Sequence, residues 1–286
     1  MRFIALSCPL PQGMVQGMKR DGFRSKQFSG WLGALLLAAA CGRAAGEASA
    51  ADTAAFDKYV SAVEARLELQ HRSRVAFLSG LTPENEAQAR RGEVAVERIA
   101  TPGVALQGAM LHHWRGTAFA PGAKAADFER VMRDFAAYPR LYAPEVVSAR
   151  VVAASGDRLQ AAMRVKQKHV LTVVMDTAYD VTFGRLDATR GWSLSRSTHI
   201  AEIDAAGTPK ERALGPSEEH GFLWRLNTYW TYEERDGGLY LQVESISLTR
   251  AVPRGLGWAV GPYVESIPRE SLEFTLRGTC AALKSR

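Results

Sequence analysis

Asp127-Phe-Glu-Arg-Val-Met-Arg-Asp-Phe-Ala-Ala-Tyr-Pro-Arg140, followed shortly by Pro144-Glu-Val-Val-Ser148, is the passage on which the reading of the fold turns. Phe128, Val131, Met132 and Phe135 fall at i, i+3, i+4 and i+7, the apolar stripe of an amphipathic helix. The residue before a proline avoids the helical region, so Tyr138-Pro139 predicts the stop of a helix over 127–138. Beyond Pro144 the chain turns β-branched and predicts a strand over 146–154. Upstream, Met110-Leu-His-His-Trp-Arg-Gly-Thr-Ala-Phe119 reads as a strand closed by Pro121-Gly122. Downstream, strands are expected at 159–168, 171–186, 191–203, 221–234 and 239–251, the last two joined by the hairpin signal Asp236-Gly237-Gly238. Helical spacing returns over 256–283, where Pro262 and Pro268 predict a short helix and then a longer one from Pro268. Strand, helix, antiparallel meander and terminal helix together predict an α+β fold, a curved antiparallel sheet of six to seven strands wrapped around a long C-terminal helix.

Two stretches carry a family resemblance. Val131-Met-Arg-Asp-Phe-Ala-Ala-Tyr-Pro-Arg140 with Pro144-Glu-Val-Val-Ser148, and the helix opening Ile267-Pro-Arg-Glu-Ser-Leu272, resemble the START-like SRPBCC superfamily, in particular its coenzyme-Q-binding and polyketide-cyclase-like bacterial members. The resemblance covers residues 108–286 and implies a helix-grip fold with a deep cavity between sheet and terminal helix that holds an apolar ligand.

Outside that region the chain divides into residues 1–50, read as a signal peptide, and 51–107, read as a helical extension and linker. The formal charge is +6, from 36 Lys and Arg against 30 Asp and Glu. Arg2, Lys19, Arg20, Arg24, Lys26 and Arg43 against Asp21 and Glu47 place +4 of it in the first fifty residues. The remainder holds 30 basic and 28 acidic side chains, so the surplus argues for an address and against a nucleic-acid partner. Basic residues 19–26 precede the run Trp31-Leu-Gly-Ala-Leu-Leu-Leu-Ala-Ala-Ala40, short for a membrane span and fitting for a signal-peptide core. Translation is expected to begin at Met14 or Met18. Two processing readings stand side by side. Ala48-Ser49-Ala50 offers a cleavage site, and Leu37-Ala-Ala-Ala-Cys41 resembles a lipobox that would make Cys41 a lipidated anchor. Either yields a periplasmic or envelope protein. It would have no intramolecular disulfide, Cys280 being read as a small buried hydrophobe.

In the body, Thr53 to Leu78 is expected as a helix with Phe56, Val60, Val63 and Leu67 on one face, and Thr82-Pro83 as the start of a short one. Phosphate loops, HExxH, CxxC pairs and GxSxG are missing, and Gly255-Leu-Gly257 lacks a third glycine, so no cofactor, metal or catalytic residue is assigned. His112 and His113 are strand neighbours on opposite faces and cannot chelate one metal. The cavity candidates are His113, Arg115, Arg225, Tyr229, Trp230, Glu244, Trp258 and Tyr263. Arg225 and Glu244 are expected to pair across neighbouring strands, and Trp258 and Tyr263 to sit at the mouth. Arg164, Lys166 and Lys168 share a strand face and meet Asp176 and Asp180 across the next strand, or dock on anionic headgroups. Ser193, Ser195, Ser197 and His199 read as a solvent-facing ribbon, with Arg196 on the opposite face.

Three functions follow. The first is an exported, non-enzymatic binding protein for a hydrophobic small molecule or lipid. The second is a cyclase- or aromatase-type enzyme using a cavity His or Asp. The third is a lipid-tethered envelope interaction protein. The sequence says nothing of oligomeric state.

Overall fold

The computed structural model describes residues 46–168, 172–252 and 257–284, with 257–265 as backbone alone. Residues 1–45, with the apolar core of the expected leader and Cys41, lie outside the described residues, as do the side chains of Trp258 and Tyr263, whereas the expected cleavage site Ala48-Ser49-Ala50 falls at the start of the first helix. Helix α1 (Ala50–His71) and the short α2 (Pro83–Arg90) precede strands β1 (Ala95–Arg98) and β2 (Ala109–Pro121). Then come α3 (Ala125–Arg133), a single 3₁₀ turn, and α4 (Tyr138–Leu141). The meander β3 (Val146–Ser155), β4 (Arg158–Lys168), β5 (Thr172–Arg185) and β6 (Arg190–Asp204) leads through a two-residue β7 (Arg212–Ala213) to β8 (Arg225–Arg235) and β9 (Gly238–Arg250). Helix α5 (Gly257–Lys284) ends the chain. The sheet runs β1-β2-β9-β8-β6-β5-β4-β3 with β7 on β6, every pairing antiparallel. It exceeds the expected six to seven strands by the short β1 and β7.

Three boundaries differ from expectation for physical reasons. The helix expected over 127–138 breaks at Asp134 (ψ 69) and restarts with Pro139 in the first turn of α4, where a missing N–H costs nothing. The two C-terminal helices are one helix of 28 residues running through Pro262 and Pro268. Each proline removes one helical hydrogen bond, and the packing of Leu272, Leu276 and Leu283 against the sheet offsets that loss. The strand expected from 221 starts only at Arg225. The buried Glu202 carboxylate accepts the N–H groups of His220, Gly221 and Phe222 at 3.0, 2.9 and 3.0 Å, folding that segment into a turn with Gly221 at φ 78.

Asp236 and Gly237, at φ 58 and 75, form the two-residue hairpin turn foreseen between β8 and β9 and thereby fix their register. The register sets Tyr229 opposite Glu244 and Arg225 opposite Leu248, so the expected Arg225–Glu244 pair does not form. Two apolar layers result. On the concave face Trp230, Leu241 and Val243 pack with Phe128 of α3 and with Leu272 and Leu276 of α5. Leu276 lies so close to β2 that a Cβ on Gly116 would stand 2.5 Å from its Cδ1. On the other face Phe56, Val60, Val63 and Leu67 of α1 cover Leu111, Tyr229, Ile246 and Leu248.

Ser49 caps α1, and Asp52 fastens it to the approach of β2 by accepting the N–H groups of Gln107 and Gly108 at 2.8 and 3.2 Å. Those bonds, led by Gln107, hold the Asp52 carboxyl below its ordinary pKa. The helix stops at His71 and not at Leu78, because the Ser73 hydroxyl accepts from the backbone of Val75 and Ala76 and competes with the helical ladder. His71 itself stacks on Trp192 with centroids 5.2 Å apart, and its Nε2 lies 3.0 Å from the Thr231 hydroxyl.

The fully buried Leu276 predicts that Leu276→Ala lowers unfolding free energy by about 2–5 kcal/mol, read from urea melts. His71 supplies a pH test. Burial lowers its pKa from 6.5 to about 4, so the unfolded chain takes up the proton first. The stability it contributes is complete above 6.5 and is lost as pH falls toward 4. Melts of the wild type over that window should lose up to about 3 kcal/mol more than those of His71→Gln. Parallel pH profiles would reject this role for His71.

Candidate functional site

Between the concave face of β3–β8 and the middle of α5 lies a cavity of about 230 Å³. Its walls are apolar and aromatic. Met132, Phe135 and Tyr138 enter from the α3–α4 region, Met163 and Val165 from β4, and Tyr179 and Phe183 from β5. Space remains because the facing positions carry small side chains, Ser193 and Ser195 on β6, Thr228 on β8, and Ser271 and Thr275 on α5.

Several hydroxyls here are already engaged. Tyr142 Oη pairs with Thr279 Oγ1 at 2.9 Å, Tyr138 donates to the Met132 carbonyl at 2.9 Å, and Thr275 donates to the Ser271 carbonyl at 2.8 Å. Gln167 Nε2 donates to Ser271 Oγ at 3.1 Å and clasps β4 to α5. Burial raises the pKa of Tyr142 to about 12 and that of Tyr138 well above 10, so both stay neutral hydrogen-bonding groups. Glu145 stands at the cavity wall just before β3.

Of the expected cavity residues, Trp230 lines this space. His113, Arg115, Tyr229 and Glu244 do not. They lie on the opposite face, beneath α1 or beside it, because β2, β8 and β9 alternate and their odd and even positions look opposite ways. Glu244, 2% exposed, receives Arg66 Nη2 from α1 at 2.5 Å and His113 Nε2 at 2.9 Å, while Arg115 Nη1 stands 3.9 Å from its second oxygen. A carboxylate only accepts, so Nε2 of His113 donates to it, and Nδ1 lies 2.8 Å from the Tyr59 hydroxyl. Burial pushes the Glu244 carboxyl up, and the His113 hydrogen bond and Arg66 outweigh it, leaving the pKa below the ordinary value. Tyr229 donates to Glu64 of α1 at 3.0 Å, and Glu64 also holds Arg196. The network therefore docks α1 onto the sheet. Arg225, half-buried, opens instead onto a separate, more polar depression with His199 and Glu219.

The serine ribbon is also placed differently. Ser193 is 3% exposed and Ser195 half-buried, and both line the cavity instead of meeting solvent. A β-bulge near Thr198 shifts the register, so exposed His199 joins Arg196 on the outer face. No alternation rule applied to the sequence reveals where a bulge falls. His112 is buried on the concave side of β2, opposite to His113 as expected, with Nε2 3.2 Å from Thr249 Oγ1. Arg164 forms a bidentate pair with Asp176 at 2.7 and 2.8 Å across β4 and β5, whereas Asp180 meets Gln160. Lys166 and Lys168 stay exposed. Cys280 is half-buried against the core, and burial raises its thiol to about 11.

Sequence reasoning passed over Glu145, Ser195 and Phe183, which line the cavity. For Glu145 a signal existed in the single charged residue of Pro144-Glu-Val-Val-Ser148.

No family model and no curated protein matches the chain. Solved structures do. A STAR-related lipid transfer protein from Xanthomonas axonopodis is 18% identical over 67% of this chain and 93% of its own, with TM-score 0.44. Human STARD10 is 10% identical over 74% and 81%, with TM-score 0.41. The Zhui aromatase/cyclase of Streptomyces sp. R1128 is 13% identical over 60% and 94%, with TM-score 0.40. By its own strand order and helix placement, this chain has the START-like helix-grip fold, an antiparallel sheet closed around a C-terminal helix.

Proposed function

We propose that the protein binds a hydrophobic small molecule in the cavity between the concave sheet face and α5. The observation that carries this reading is the 230 Å³ space itself, walled by Met132, Phe135, Met163, Phe183 and Trp230. Ligand sites are concave clefts walled mostly by apolar and aromatic side chains with a few placed polar groups, and this cavity has that character. It lies below the roughly 300–1,000 Å³ of drug-sized pockets, which favours a small ligand of up to about three rings or a single short chain. A cyclase-type reading rested on a cavity His or Asp. Among the described lining residues there is neither, Glu145 being the one carboxylate there, and His113 is occupied in docking α1, so we prefer the binding reading.

A neutral polarity-sensitive dye, N-phenylnaphthylamine, should brighten on titration into the protein and be displaced by its natural ligand, extracted with organic solvent and identified by mass spectrometry. Ser195→Trp places an indole in the cavity and should weaken the dye by about tenfold or more while leaving the melting temperature near that of wild type. Equal dye binding by wild type and Ser195→Trp would locate the dye elsewhere and reject the site.

We further propose that this binding is exercised outside the cytoplasm, on the strength of the basic stretch, apolar core and processing signals of residues 1–50. The lipid-tethered alternative is distinguished by labelling cells with a radioactive fatty acid. Label present in wild type and absent from Cys41→Ala establishes the tether. A mature N-terminus at Ala51 without label establishes release. Recovery of the full-length chain from the cytoplasmic fraction alone would overturn export.

A further inference from the structure

Glu145 is the one charged side chain among the described residues that line the cavity. It is half-buried, and its carboxylate makes no hydrogen bond or ion pair among them. Burial alone acts on it and raises its pKa, in contrast to Glu129, Glu202 and Glu244, each of which is held by an Arg, a His or backbone N–H groups. Lys166 is its nearest cation by register, the Lys166 N–H bonding the Glu145 carbonyl at 2.7 Å. That ammonium does not answer the carboxylate. Val165 and Gln167 face the cavity, so Lys166 between them projects from the other side of β4 and is exposed. Arg164, on that same outer side, is taken up by Asp176 and Glu211. An acceptor left unmatched on an apolar wall is costly to desolvate, and a ligand that covers it must supply a donor. A ligand that brings a second anion meets repulsion and, among the described lining residues, no cation.

We infer that Glu145 selects the ligand of this cavity: an apolar molecule whose polar end donates hydrogen bonds, an amine or a hydroxyl, in preference to a carboxylic acid or other anion. The inference rests on the binding reading above and narrows it to a substrate class. The Ser195 and Thr228 hydroxyls, cross-strand neighbours on the same concave wall, accept or donate and add polarity without charge. They leave Glu145 to decide the sign.

Octylamine, octanol and octanoate share one chain and differ only at the head, so displacement of N-phenylnaphthylamine by each isolates the head's contribution. At neutral pH the wild type should bind octylamine tightest and octanoate weakest, the extremes differing by about tenfold or more, as a charge-assisted hydrogen bond gained against a repulsion incurred requires. Glu145→Gln keeps shape and removes charge. It should bring octylamine and octanoate within about threefold of one another and leave octanol nearly unchanged. Glu145→Leu, with no polar end, should favour octanol least of the three proteins.

Equal affinity of the wild type for octylamine and octanoate overturns the selection by Glu145 while the cavity reading stands. So does a preference that survives in Glu145→Gln. Failure of the dye and all three octyl compounds to bind removes the cavity reading and this inference with it. The wild-type ranking alone is decisive should either variant fail to fold.

Discussion

Where a sheet is buried on both faces, as this one is along β2, β9 and β8, it must be covered twice, and much of this molecule follows from that requirement. In β8, Trp230 and Tyr232 look to the concave side while Tyr229 and Thr231 look to the other, and all four are buried. In β9, Leu241 and Val243 alternate with Tyr240, Gln242 and Glu244, again all buried. Antiparallel sheets commonly leave one face to water, and strands buried on both sides need two covering layers. Helix α5 supplies one layer and α1, with the loop behind it, the other. Residues 50–71 are thus held to the sheet by an apolar stripe.

The two covers are attached by different chemistry. Helix α5 meets the sheet through Leu272 and Leu276 and leaves an open cleft over β4–β6, where serines and threonines replace bulk. Helix α1 adds charge to its apolar stripe. Burying the Glu244 carboxylate without partners would cost several kcal/mol, and the same burial with Arg66 and His113 in hydrogen-bond reach becomes a positional device. Arg66 reaches Glu244 only when α1 has the correct rotation and depth. A pair of this kind contributes little net stability against an apolar substitute, and what it does contribute is specificity of docking.

Much of this architecture was legible in the sequence, and the illegible part has identifiable causes. Local signals survived intact. The Asp236-Gly237 turn, the Thr82-Pro83 helix start, the stripe from Phe56 to Leu67 and the alternation of β2 were all read from neighbours within a turn or two. Long-range facts were not. Whether His113 and Glu244 look into a cavity or beneath a helix depends on which face α1 covers, and no spacing inside β2 or β9 encodes that. The bulge that takes His199 away from the face of Ser195 is one residue of slip in a ladder that the sequence writes as continuous. Pro262 and Pro268 are helix breakers locally and are carried within α5, whose other residues are anchored to the sheet.

The same distinction explains where chemistry was mislaid. Tyrosine, histidine and glutamate gathered on β2, β8 and β9 looked like the polar points of a pocket. In the structure they bond one another between α1 and the sheet, Tyr59 and Glu244 on His113 and Tyr229 on Glu64, and so serve to dock the helix. The cavity shows the opposite pattern. Tyr138 and Tyr142 are spent internally, the walls are mostly apolar with neutral hydroxyls, and the one carboxylate is without a partner among the described residues, in the α4-to-β3 passage beside the strand that ends the sheet. The number of polar residues in a strand is thus a poor guide to a ligand site, because polar groups also serve to dock one layer on another.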